Sequence, residues 1–298
     1  MKRLISLNQL FVVLLTVLSL LGLQSCNRDD DPIKPTNEVT DKGHEEWSKV
    51  TFKFTKGHLH GKNFHGDPIN PEIKYFKSVQ EISYEVDEKG DLKVSTDQPI
   101  RFIKDTQYAL EITYYNKKGE AINGEFVTAE MAPIHQHFFM AKNIKTLEGK
   151  GVEKPTNTLL DYLYRDTNPW DQMFRFGGQL RDEKDPIGLK GYFTIKEKYL
   201  QYDLNVVLVH VIKGSKLDDN GNPYPFYNPS KRILGVQDLN IKIPVRVYGE
   251  HPGGDSTGYT SEDLVKDIAK EFNISYDEAF DDWDKSFDAP HDSSKYWM

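Results

Sequence analysis

The chain has 298 residues, of which 38 are Lys or Arg and 46 are Asp or Glu, so its net charge is −8. A net acidic chain without a basic stripe excludes nucleic acid and anionic lipid headgroups as its main partners. The single cysteine, Cys26, excludes a disulfide within the chain.

Residues 1–25 have the pattern of a secretory signal peptide. Lys2 and Arg3 precede an apolar run of thirteen residues, Phe11–Leu23, which is too short to cross ~30 Å of hydrocarbon as a helix. The run ends in Leu-Gln-Ser-Cys, which resembles a bacterial lipobox, where the signal peptidase cuts before the cysteine and the thiol is lipidated. We therefore expect Cys26 to be the lipid attachment site that holds the mature protein on a membrane.

A polar segment follows this cysteine. Its first residues, NRDDDP at Asn27–Pro32, resemble the surface-export signal of Bacteroidota-type lipoproteins. The resemblance implies the outer membrane with exposure at the cell surface, and the periplasmic side is the alternative. Residues 26–44 contain no apolar period and predict a flexible tether.

Most of the remaining chain alternates apolar and polar residues with period two, which predicts β-strands. Val50, Phe52 and Phe54 share one face of the first strand, and Tyr108–Tyr115 is followed by a Gly-containing turn and a predicted partner strand, AINGEFV. Short strands separated by turns indicate a mainly β chain and an antiparallel immunoglobulin-like β-sandwich. Further strands are predicted at His135–Ala141, Leu189–Ile195, Tyr199–Ile212 and Leu239–Tyr248.

The β region divides at Gly149–Thr156, which lacks an apolar pattern. The division predicts two halves, residues 45–148 and 157–249, each close to the ~100 residues of an immunoglobulin-like sandwich. Whether they form two tandem sandwiches or one large sandwich stays open at this point.

Residues 250–298 lack the period-two alternation of the preceding segments, and their pattern predicts an acidic tail with two short helices. Leu264, Ile268 and Phe272 recur every four residues and form the stripe of an amphipathic helix. A second helix is predicted to start at Ser275, with Glu278 completing a capping box. Its acidic side chains are expected on a solvated face, because the glycine of a calcium loop is missing.

The most specific functional signal is a group of five of the nine histidines. His58 and His60 are separated by one residue, as are His135 and His137, so each pair shares one side of a strand. Glycines around the first pair allow a bend that brings His65 nearby. If the pairs meet, they form a site for zinc, copper or iron, or for haem, because imidazole suits these metals. Structural or surface histidines and a pocket for a non-metal ligand are the alternatives.

Catalytic motifs do not stand out. The chain has no GxSxG, HExxH, P-loop or dinucleotide-binding motif, and no single pair of carboxylates is singled out for glycoside hydrolysis. We therefore expect a protein that is not an enzyme.

Six segments, taken together and in order, resemble an uncharacterised group of Bacteroidota surface lipoproteins. The resemblance covers roughly residues 47–248 and leaves out the C-terminal helices. It implies a β-sandwich on the cell surface that serves a TonB-dependent outer-membrane transporter, and it implies no particular ligand. The segments are VTFKFTKGH, IHQHFF, YLYRDTNPW, DPIGLKGYF, LNVVLVHV and IKIPVRVY.

These observations predict a non-enzymatic surface lipoprotein for nutrient uptake. It would bind a metal ion, or a metal-containing nutrient such as haem, and pass it to the transporter. The alternative is a structural or adhesion lipoprotein that binds another protein and whose histidines are structural.

Overall fold

The computed structural model describes residues 44–212, 214–230, 236–251, 258–288 and 295–298, and these contain fourteen β-strands. The predicted signal peptide, Cys26 and the predicted tether up to residue 43 lie outside them. The strands are β1 (Lys49–His60), β2 (Asn63–Gly66), β3 (Val79–Val86), β4 (Leu92–Val94), β5 (Ile100–Lys104), β6 (Gln107–Tyr115), β7 (His135–Thr146), β8 (Leu160–Tyr164), β9 (Thr167–Asn168), β10 (Met173–Phe174), β11 (Gly177–Leu180), β12 (Lys190–Ile195), β13 (Leu200–His210) and β14 (Val236–Glu250).

Two large sheets form the body of the protein. The first has the order β4-β3-β1-β6-β12-β8, with β2 added to β1, and the second has the order β5-β14-β13-β7. Their strand pairs are antiparallel except for β5 and β14, which are parallel. A third, small sheet has the order β10-β11-β9.

The alternation of apolar residues explains how the two large sheets pack. Phe52 and Phe54 of β1 point to the same side, and they share one core cluster with Leu204 and Val206 of β13 and Phe139 of β7. The core therefore takes side chains from both sheets, which pack against each other like the layers of a sandwich. The prediction of a mainly β chain with antiparallel sheets is confirmed, and the immunoglobulin-like form stays a prediction.

Both sheets combine strands from the two sides of Gly149–Thr156. In the first sheet β6 pairs with β12, and in the second sheet β7 pairs with β13. The predicted halves, residues 45–148 and 157–249, thus share their sheets and their core. This arrangement corresponds to the alternative of one large sandwich.

One predicted hairpin is wrong. The segment after Tyr108–Tyr115 was expected to form a partner strand, but only Ala121 bridges Tyr115, and Asn123–Phe126 forms a helical turn, α1. The side chain of Asn123 accepts a hydrogen bond from the backbone N–H of Tyr114 at 2.8 Å and donates one to the carbonyl of Ile112 at 2.7 Å. The amide side chain therefore satisfies the two backbone groups that a partner strand would have paired.

A second short helix, α2 (Thr156–Leu159), lies between the β segments, and two longer helices, α3 (Ser261–Phe272) and α4 (Tyr276–Lys285), follow β14. Both predicted C-terminal helices are thus confirmed. The hydroxyl of Ser275 caps α4 by accepting from the backbone N–H of Glu278, and the reciprocal capping box occurs at α3 instead, between Thr260 and Asp263.

The acidic side chains of α4 were expected on a solvated face, which is wrong for Asp282. Asp282 is 7% exposed. Its carboxylate accepts hydrogen bonds from the backbone N–H groups of Lys74, Tyr75 and Phe76. It therefore ties the loop before β3 to α4.

None of the helices in the described part of the chain has the length and apolar character needed to span a membrane.

Candidate metal centres

Three of the predicted histidines meet on the hairpin formed by β1 and β2. His58 lies directly opposite His65 in the register of the two strands, and His60 is two residues beyond His58. Residues at i and i+2 share a face, and directly opposed residues share a face as well. The three imidazoles therefore stand on one side of the hairpin; we call His58, His60 and His65 the exposed triad.

Close approach of the backbone fixes the shape of this hairpin. A Cβ atom at Gly57 would lie 2.2 Å from the carbonyl oxygen of His65 and 2.4 Å from the ring of Phe64. Glycine is therefore required at position 57 for β2 to lie where it does. The bend itself uses Gly61, whose φ of 65° falls in the left-handed region that glycine adopts at little cost.

The ring nitrogens of the exposed triad converge. Nε2 of His58 is 3.1 Å from Nε2 of His60 and 3.5 Å from Nδ1 of His65. Ligands ~2.0 Å from a tetrahedral zinc ion lie ~3.3 Å from one another, since a tetrahedral edge is about 1.6 times the metal–ligand distance. The two nitrogen–nitrogen distances fall on either side of that value, so the three nitrogens could share one ion.

Two residues outside the predicted set support the exposed triad. Nδ1 of His58 lies 3.0 Å from a carboxylate oxygen of Asp67, whose other oxygen is 3.3 Å from the ammonium of Lys56. If Nδ1–H of His58 donates a hydrogen bond to this carboxylate, Nε2 is the ring nitrogen that carries the lone pair. Metal-binding histidines usually have such a carboxylate or carbonyl partner on the other ring nitrogen. The indole ring of Trp297 packs 4.5 Å from the ring of His65 and 5.2 Å from that of His60.

The chain end brings Trp297 to this place. The backbone of Met298 exchanges hydrogen bonds with that of Phe64, and the N–H of Gly66 donates to the carbonyl of Tyr296. Sequence reasoning missed Trp297 because no local pattern links residue 297 to residue 64. Asp67 could have been predicted from the sequence, since it directly follows the hairpin.

His135 belongs to a second group, with His44, His210 and Asp238; we call these four residues the buried centre. Their side chains are at most 1% exposed. His135 is the first residue of β7 and lies opposite His210, the last residue of β13. His44 is the first described residue of the chain, and it was expected to belong to the flexible tether.

A β-bulge supplies the carboxylate of the buried centre. Leu208 pairs with Leu239 and Val209 pairs with Gln237, so Asp238 is an extra residue in β14. A bulge redirects the side chain of the extra residue. Here the Asp238 carboxylate faces the three histidines and one of its oxygens approaches all of them.

The environment of the buried centre shifts its ionisation equilibria. Burial lowers the pKa of His135 below its usual value, although the neighbouring Asp238 carboxylate and Met131 carbonyl, which favour the protonated ring, oppose the shift. Burial alone would raise the pKa of Asp238, but the interactions with His135, His210 and His44 outweigh it and hold that pKa well below the usual range. The carboxylate is therefore ionised, and burial favours the neutral form of His135.

His137 belongs to neither group. It is fully buried, its Nδ1–H donates to the carbonyl of Ile187 at 2.8 Å, and its Nε2 accepts from the hydroxyl of Tyr114 at 2.7 Å. Burial lowers its pKa to about 4. Both ring nitrogens are engaged within the core, so His137 has no lone pair left for an ion.

The five predicted histidines therefore do not converge on a single point. The buried centre lies near the start of β1, where the indole N–H of Trp47 donates to the carbonyl of Asp238 at 2.8 Å. The exposed triad lies at the other end of the same strand, which has 12 residues. At ~3.3 Å per residue, that strand is about 40 Å long.

Comparisons of the chain with protein-family models, with curated proteins and with solved structures find no match.

Proposed function

We propose that this protein is a lipid-anchored, non-enzymatic protein of the outer-membrane surface that binds a transition-metal ion through the exposed triad. A single observation carries the proposal: three ring nitrogens of His58, His60 and His65 converge on one exposed face, and Asp67 orients one of them. Imidazole nitrogens suit zinc, copper and iron. A mainly β body, of the immunoglobulin-like sandwich type in this proposal, presents the site.

The chemistry of the site favours capture and release. Three protein ligands leave a tetrahedral ion with one open position, which solvent or a ligand from a partner can fill. The side chain of His58 is 51% exposed, so a partner can reach the ion. A TonB-dependent transporter that receives the ion is the proposed partner.

The geometry favours a bare ion over haem. Haem iron takes at most two axial protein ligands, one from each face of the porphyrin. The three nitrogens instead lie on the same side of one hairpin, with two separations of 3.1 and 3.5 Å. That arrangement suits three neighbouring positions around one ion.

Replacing two ligands tests this site. We expect His58→Ala with His60→Ala to abolish binding of one zinc or copper ion per chain in calorimetric titration, because a single imidazole cannot hold the ion. Thermal unfolding should change little, since both side chains are exposed. Asp67→Asn should weaken the affinity by about 10–100-fold without abolishing it, because the amide orients His58 less well than the carboxylate.

His251→Ala is the matched control, since His251 is exposed and belongs to neither group. Its titration should match that of the unaltered protein. An unchanged ion count and affinity in the double variant would remove the exposed triad from the proposed function.

Membrane attachment is tested separately at Cys26. We expect Cys26→Ser to move the protein from the membrane fraction to the soluble fraction, because the chain has no other thiol to lipidate. Ser25→Ala, which keeps a small residue before the cysteine, should leave the protein in the membrane fraction. Fractionation followed by immunoblotting measures both. A Cys26→Ser protein that stays with the membranes would contradict lipid anchoring at this residue.

A further inference from the structure

Three ring nitrogens of the buried centre surround one carboxylate oxygen. Nε2 of His44, Nε2 of His135 and Nδ1 of His210 lie 3.1, 3.3 and 3.4 Å from the same oxygen of Asp238. These distances match the ~3.3 Å edge of a tetrahedron whose centre is ~2.0 Å from each ligand. Three nitrogens and one oxygen are a ligand set that zinc accepts.

Hydrogen bonds on the far side of two rings decide which nitrogens face the centre. Nδ1 of His135 lies 2.8 Å from the carbonyl oxygen of Met131, and Nδ1 of His44 lies 2.9 Å from that of Glu45. A carbonyl oxygen only accepts, so each Nδ1 carries a proton. In the neutral rings, each Nε2 then presents a lone pair toward the ionised carboxylate of Asp238.

A lone pair on each Nε2 repels the carboxylate oxygen that it faces, and a cation among these ligand atoms would remove this repulsion. A divalent cation at the centre would take one lone pair from each of the three rings and one from the carboxylate.

The surroundings close this centre. The ring of Phe126 lies 4.6 Å from the ring of His44 and 5.2 Å from that of His135. The hydrogen bonds from the histidines to backbone carbonyls are the outer-shell contacts that orient metal-binding imidazoles. Four protein ligands and no access for solvent are typical of structural zinc sites, whereas catalytic or exchangeable sites keep an open position.

We propose that His44, His135, His210 and Asp238 bind a second divalent cation of the zinc class, and that this ion has a structural role. It joins residue 44 to the ends of β7, β13 and β14. Residue 44 was expected in the flexible tether, and an ion at this site would hold it against the sandwich. This site is independent of the exposed triad and goes beyond the proposed function.

Metal analysis of a chain without the exposed triad tests the proposal. The protein carries Cys26→Ser together with His58→Ala, His60→Ala and His65→Ala, and it is purified without an affinity tag. We expect about one zinc ion per chain by elemental analysis. After exchange for Co²⁺, we expect the intense visible absorption of a four-coordinate ion, and X-ray absorption should show nitrogen and oxygen ligands at ~2.0 Å and no sulfur.

Adding His44→Ala to this protein should raise the dissociation constant for zinc at least about 100-fold, since even outer-shell changes cost 10–100-fold. His44 precedes β1 and belongs to no strand, so circular dichroism should show that the sheets persist. His137→Gln is the matched control, because His137 is a fully buried histidine of β7 outside the centre. That variant should keep its ion.

Two results would overturn the inference. One is a triad-free protein that folds but holds neither zinc nor tetrahedral Co²⁺, and the other is a His44→Ala protein with unchanged affinity. The ion count separates this inference from the proposed function. If the unaltered chain binds one ion and the triad-free chain binds none, the buried centre is contradicted and the exposed site is not. If both chains bind one ion, the exposed site is contradicted and the buried centre is not.

Discussion

Phe193→Ala is expected to lower the free energy of unfolding by about 3–5 kcal/mol, the usual cost of removing a buried phenylalanine. Phe193 in β12 is fully buried. Its ring lies 4.7 Å from that of Tyr162 in the same sheet and 5.3 Å from that of Phe139 in the opposite sheet. The substitution would therefore leave a cavity where the two sheets meet, since close-packed neighbours relax only in part.

Urea denaturation followed by circular dichroism measures this loss. Phe287→Ala makes the same chemical change at a side chain that is 69% exposed, so it should alter stability by no more than about 0.5 kcal/mol. Equal effects of the two substitutions would show that Phe193 is not at the centre of the core.

Asp166→Ala should destabilise the protein by about 3–5 kcal/mol, the cost of breaking a buried charged network. One oxygen of the Asp166 carboxylate accepts from the backbone N–H groups of Ile187 and Gly188, and the other accepts from that of Lys190. Asp166 is 6% exposed. Alanine would leave these donors unpaired away from water, and each such donor costs about 1–3 kcal/mol.

Asp166→Asn should cost less than alanine, because the amide oxygen can still accept from Ile187 and Gly188. Asp161→Ala is the matched control. Its carboxylate is 59% exposed and pairs with Lys196 at 3.3 Å, and an exposed ion pair contributes at most about 1 kcal/mol. A loss at Asp166 no larger than the loss at Asp161 would contradict the structural role of this carboxylate.

Local features of the exposed triad could be predicted from the sequence. His58 and His60 share a face because a strand has period two, and Gly61 allows the turn that brings His65 opposite His58. The ligands lie within eight residues, so the hairpin alone assembles them. Trp297 joins them only because the chain end pairs with β2.

The buried centre could not be predicted in the same way. His44, His135, His210 and Asp238 come from four distant parts of the chain, and only the pairing of β7 with β13 and of β13 with β14 brings three of them together. Alternation predicted the strand that contains His210, Tyr199–Ile212, but it could not predict which residue lies opposite His210. The bulge at Asp238 also breaks the alternation that would have placed its side chain.

The different roles of His135 and His137 also depend on the tertiary structure and not on the local sequence. Both were predicted on one face of a strand, and the structure places both toward the core. What each ring nitrogen contacts depends on other elements: the hydroxyl of Tyr114 and the carbonyl of Ile187 reach His137, whereas Asp238 and Met131 reach His135.

The amino-acid sequence by itself determined most of the long β-strands, the C-terminal helices and the bend that brings three histidines together, because side-chain alternation and turn residues act between near neighbours. Only the tertiary structure decided that the two predicted halves share their sheets, and that the five histidines divide between an exposed and a buried group. Strand order depends on which apolar faces pack against one another between distant parts of the chain, and no local sequence pattern specifies those pairs.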